Sequence, residues 1–100
     1  MASILGRRRG FDDTGRAALR DVLADPIFEL LPLKSLPDQI PQLPRGALVS
    51  VTASPAKGID ATVDWAARLQ ADGFRAIPHL SARMIADRAT LAGLLGRARD

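Results

Sequence analysis

Ala47-Leu48-Val49-Ser50-Val51-Thr52, residues 47–52, is the stretch that decides the fold. Its β-branched residues favour a pleated strand, and its nearly continuous apolar character is that of a strand covered on both faces, as in parallel sheets. The same pattern returns upstream in Ile27-Phe28-Glu29-Leu30-Leu31 and downstream in Ala76-Ile77-Pro78-His79-Leu80. Between the second and third runs, Ile59, Val63, Ala66 and Leu69 recur at helical spacing with Asp60 and Asp64 interposed, and Gly73 supplies a C-terminal stop. Trp65 falls at the edge of that apolar stripe, where its large area can pack against a neighbouring helix. Between the first and second runs, Leu36, Ile40 and Leu43 share one face, but Pro41 limits any helix there to a turn or two.

Working outward, residues 12–25 carry Leu19, Val22 and Leu23 at helical spacing, with Asp12, Asp13 or Thr14 able to cap the start and Pro26 closing the segment. A loop over 81–86 leads to Asp87 as N-cap of a last helix, with Leu91, Leu94, Leu95 and Ala98 expected as its buried stripe. Strand and helix thus alternate three times after a short leading helix. Parallel neighbours need a crossover connection and a helix supplies it, so the fold class is α/β with a parallel sheet. Three strands alone leave two raw edges and one uncovered face. The chain also reaches Asp100 inside or just after a helix, where such a repeat turns back into a strand. The expectation is therefore the N-terminal part of a (β/α)8 TIM barrel: an arginine-rich flexible N-terminus over 1–11, then a partial barrel domain over 12–100.

Composition narrows the function classes. With 47% hydrophobic and 25% charged residues, the chain is neither disordered nor membrane-like, and no apolar stretch approaches the about 20 residues of a bilayer span. The first nine residues lack the apolar core of about 7 to 15 residues that a secretory signal carries, which points to the cytoplasm. Cysteine is absent and histidine occurs once, which removes disulfides and thiol chemistry and argues against a metal centre. The net charge of +3 and the cluster Arg7, Arg8, Arg9, with Arg16 and Arg20 beyond it, raise nucleic acid as a partner. No aromatic platform accompanies those arginines, so a solvated basic tail and no nucleic-acid partner is the reading taken.

Each apolar run holds one polar residue that a buried strand must satisfy or use: Glu29, Thr52 and His79. In barrels and open parallel sheets alike, sites gather at the carboxyl ends of the strands. The three side chains are expected to converge there.

Those same residues carry a family resemblance. Phe28-Glu29 followed by Pro32 and Lys34 resembles the first-strand motif Phe-Glu-Phe-Phe-Pro-Pro-Lys of the methylenetetrahydrofolate reductase family; Ser50-Val51-Thr52 is similar to the Ser-Val-Thr that ends its second strand; Pro78-His79-Leu80-Ser81 resembles its Pro-His-Leu-Thr. The order and spacing of the three pieces carry the likeness, which covers about residues 27–100. The chain departs from the pattern at Leu30-Leu31, Leu33, Ala53-Ser54-Pro55 and Ser81-Ala82, as a divergent member does.

The resemblance implies a flavoprotein of one-carbon metabolism on the route to methionine. Its reaction is the reduction of 5,10-methylenetetrahydrofolate to 5-methyltetrahydrofolate, with FAD as carrier, FMN not excluded, and NAD(P)H as reductant. It further implies Glu29 as the catalytic acid, Thr52 and His79 as flavin contacts, a folate substrate, and no membrane partner, with a homo-oligomer left open. Flanking by Phe28, Leu30 and Leu31 is expected to desolvate the Glu29 carboxyl and favour its protonated form. Without the family, an ion pair of Glu29 with Lys34 is the plainer account. The rival class of function is a truncated, non-catalytic remnant or interaction module of the same fold that binds no flavin. Arg83 and the Lys57-Gly58 pair are further anion contacts to weigh, but each stands alone in sequence.

Overall fold

The computed structural model describes residues 10–100. Helix α1 (Asp13–Ala24) precedes strand β1 (Ile27–Leu30). A short helix α2 (Leu36–Gln39), continued by a 3-10 turn over Ile40–Gln42, crosses to β2 (Leu48–Val51). Helix α3 (Ile59–Ala71) crosses to β3 (Arg75–Pro78), and a 3-10 turn at Ala82–Met84 leads to α4 (Arg88–Arg99). The strands pair in parallel in the order β1-β2-β3, with Glu29 opposite Ser50 and Ser50 opposite Ile77. The fold is therefore mixed α/β with a three-stranded parallel sheet, as the alternation of runs predicts.

Both crossovers pack on one face of the sheet. Leu30, Val49 and Val51 from the strands meet Leu36 from α2 and Ala66 and Leu69 from α3, with Phe28, Ile40, Leu43, Phe74 and Ala76 around them. Leu36, Val49, Val51 and Leu69 are wholly buried, which makes this cluster the energetic centre of the chain. A second cluster joins Ile59 and Val63 of α3 to Leu94 of α4, and Arg97 ties the two helices by ion pairs to Asp60 (2.7 Å) and Asp64.

The helix ends follow their sequence signals. Asp12 accepts the Gly15 N–H and starts α1. At the end of α3, Gly73 takes φ +94°, its N–H donates to Gln70 O, and the Phe74 N–H donates to Leu69 O: the paired bonds of a Schellman cap. One consequence reaches β3, because the Gln70 Oε1 accepts the Ala76 N–H at 3.0 Å on the strand's outer edge. Asp87 caps α4 by accepting the Thr90 N–H at 2.7 Å. That backbone bond first, and the Thr90 hydroxyl second, hold the Asp87 carboxyl below the usual carboxylate range.

A depressed folded-state pKa gives stabilisation that is complete above the unfolded value and is lost as pH falls through the folded one. The Thr90 amide resonance is therefore expected to hold steady from neutral pH through the ordinary Asp range and to move only below it. Asp87→Asn keeps the cap but abolishes that acid transition, and Asp87→Ala frays the first turn of α4 at every pH.

One expectation is corrected here. Of Leu91, Leu94, Leu95 and Ala98, only Leu94 is buried; Leu95 is 52% exposed, because α4 meets α3 along a single line of contact. Helix α1 forms where its spacing places it, but none of its residues is buried, and Val22 is 70% exposed. The arginine cluster at 7–9 lies outside the described residues. No helix of the described residues is long and apolar enough to cross a membrane.

Candidate functional site

Side chains alternate across a strand, so the sheet register sorts every strand residue to one of two faces. Phe28, Leu30, Val49, Val51, Ala76 and Pro78 point toward α2 and α3. Ile27, Glu29, Leu48, Ser50, Arg75 and Ile77 point to the other face, where none of the core-forming helices lies. The ladder continues one residue past each strand: the Thr52 N–H donates to Leu30 O and the His79 N–H to Val51 O, both at 2.9 Å. Thr52 and His79 thereby extend the register and fall on the same open face as Glu29, beside Leu31.

The three sequence-predicted residues therefore share one face and lie toward the carboxyl ends of their strands. They do not touch. With strands about 4.8 Å apart and a rise of about 3.3 Å per residue, Glu29 stands roughly 8 Å from Thr52 and roughly 12 Å from His79 between Cα atoms. That spread suits the edge of a flat ligand rather than a proton relay between the side chains.

Thr52 is the most firmly held. Its hydroxyl donates to Leu30 O at 2.8 Å, and its own carbonyl accepts the hydroxyl of Thr62, a fully buried residue of α3, at 3.1 Å. The donated proton leaves Thr52 Oγ1 with acceptor capacity only, so it can receive an N–H from a ligand but not give one. Thr52→Val removes this bond while keeping the shape, and is expected to lower stability by about 1 kcal/mol in urea unfolding with no ligand present.

Glu29 requires a correction. It is exposed, because Phe28 and Leu30, its neighbours in sequence, turn to the opposite face and do not desolvate it; Leu31 shares its face but is itself 51% exposed. An ion pair with Lys34 is not formed either, since the ion pairs of the described residues are Arg75 with Asp25, Arg97 with Asp60 and Asp64, and Arg99 with Asp100. His79 is likewise exposed, and Arg83 sits exposed on the 3-10 turn after β3.

The register adds Ser50, which pairs with Glu29 across β1 and β2 and is 5% exposed at the centre of the open face. Alternation within Ser50-Val51-Thr52 already puts its first and third residues on one side, which is the signal that could have found it. Trp65 packs against the principal core, to which α2 contributes Leu36, with the Arg68 guanidinium 4.9 Å from its ring centre. No group of three or more potential metal ligands gathers among the described residues. No family model matches the chain, and no solved structure matches it.

Proposed function

We propose that these three strand–helix units are the opening part of a (β/α)8 barrel of the methylenetetrahydrofolate reductase kind, and that the protein reduces 5,10-methylenetetrahydrofolate to 5-methyltetrahydrofolate. The observation that carries the proposal is the gathering of Glu29, Thr52 and His79 on one face of a parallel sheet whose crossovers both lie on the other face. In a closed barrel the helix-bearing side is the outside, and the free side is the interior. A doubly wound sheet lays helices on both faces. The free face here mixes Glu29, Ser50, Thr52, Arg75 and His79 with Ile27, Leu31, Leu48 and Ile77, and its polar residues suit a barrel interior better than a dry interface with a second helical layer.

The donor set fits a flavin. Thr52 Oγ1 offers an acceptor for a ring N–H and the His79 imidazole a donor for a ring oxygen, with a spread between them and Glu29 that suits a planar ring system. FAD is the carrier proposed and NAD(P)H its reductant; the bound flavin supplies hydride transfer, and the chain supplies position and protons. Glu29 gives a proton to the nitrogen that leaves the methylene carbon as the bridge opens, which makes that carbon electrophilic. Thr52, fixed to Leu30 and to α3, is the residue that would hold the ring edge.

A second reading, a module of the same fold that binds no flavin, is favoured by the exposure of Glu29 and His79. One experiment separates the two. The three units alone lack most of a barrel's cofactor contacts and are expected to be weakly active or inactive, so the complete barrel protein is purified, titrated with FAD, then reduced anaerobically with NAD(P)H, then mixed with 5,10-methylenetetrahydrofolate. Uptake of FAD, bleaching, and return of the oxidised flavin spectrum on adding the folate are expected. A preparation that takes up no FAD sinks the oxidoreductase and leaves the binding module.

A further inference from the structure

Three cations stand around the chain's single tryptophan, and none has an ion-pair partner among the described residues. Lys34, from the loop after β1, and Lys57, from the loop after β2, line a cavity of about 230 Å³ with Pro32, Leu33, Pro37 and Trp65. Arg68, nearly one turn along α3, lays its guanidinium over the Trp65 ring. No carboxylate lines this cavity. The two lysines lie 23 positions apart in the chain and are brought together only by the parallel pairing of β1 and β2.

We infer that this cavity, on the helix-bearing side of the sheet and apart from the Glu29 face, binds a small organic anion: a flat apolar group against Trp65 and Pro37, with its phosphate or carboxylate between Lys34 and Lys57. Lysine is a point-charge partner for phosphate, and an indole wall gives large apolar contact at little entropic cost. Volume sets the size of the ligand. Sites for drug-sized molecules run from about 300 to 1,000 Å³, so the part of a ligand held in this cavity is a single ring with its anionic group.

The test uses Trp65 as its own reporter, since no other tryptophan contributes to the emission. Titration of the protein with phenyl phosphate is expected to change Trp65 fluorescence saturably, more weakly as salt rises. Phenol and inorganic phosphate, each carrying half of the recognised chemistry, are expected to bind more weakly than phenyl phosphate. Both lysines are exposed, so Lys34→Gln and Lys57→Gln leave the fold intact, and each is expected to weaken phenyl phosphate binding about tenfold. Phenol or inorganic phosphate binding as tightly as phenyl phosphate overturns the assignment, as does unchanged affinity in both lysine variants. So does the absence of any saturable change in Trp65 fluorescence and in its indole NMR resonance.

Discussion

If the proposed function holds, Glu29→Gln is expected to slow the reduction of 5,10-methylenetetrahydrofolate by about 10²- to 10⁴-fold, the range of a positioned general acid. FAD binding and flavin reduction by NAD(P)H are expected to stay as they are, because the acid acts only when the methylene bridge opens. Glutamine keeps the shape and much of the hydrogen-bonding capacity of the side chain but is not an acid. Glu29 is exposed on the open face and contributes nothing to the core, so loss of fold cannot mimic the effect. Stopped-flow measurement of the two half-reactions in the intact enzyme separates them, and an unchanged rate of flavin reoxidation by the folate removes Glu29 as the acid.

Leu69→Ala is expected to cost about 2 to 5 kcal/mol in stability, by lost burial plus the cavity left behind. Leu69 is fully buried where α3 meets the sheet, its neighbours fixed by strands on one side and by the Gly73 cap on the other. Against a total of about 5 to 15 kcal/mol for a domain, such a loss moves the urea midpoint far or abolishes folding. Val22→Ala on the exposed stripe of α1 is the matched control, expected within about 0.5 kcal/mol. A comparable loss in both variants would mean that the α1 stripe is covered in solution.

The strands were legible because three short, nearly continuous apolar runs recur, the central one β-branched at Val49 and Val51, and α3 was legible because its stripe ends on a glycine that adopts positive φ. The cap at Asp87 fixed the start of α4 for the same kind of local reason. Depth of burial was not legible. An apolar stripe records that a surface needs a partner, and Leu91 and Leu95 show the need without supplying one. The candidate site was legible in its membership of one face and misread in its environment. Flanking residues in a strand point away from one another, so Phe28 and Leu30 describe the face that Glu29 does not occupy. Ser50 was legible from the alternation within residues 50–52, whereas the Lys34–Lys57 cavity depends on the pairing of β1 with β2, which lies outside what any local pattern encodes.

The bond from the Ala76 N–H to the Gln70 side chain bears on how the chain meets other chains. Pro78 has no N–H to offer, so with Ala76 occupied these two residues leave β3 no outward donor for an arriving strand to engage. The glutamine works as a removable stopper. It denies the margin of the sheet to adventitious partners, yet a cognate strand need only exchange one carbonyl acceptor for another, at little net change in free energy. Taking the stopper away with Gln70→Ala is expected to leave a bare donor and to raise self-association with concentration, which light scattering would register.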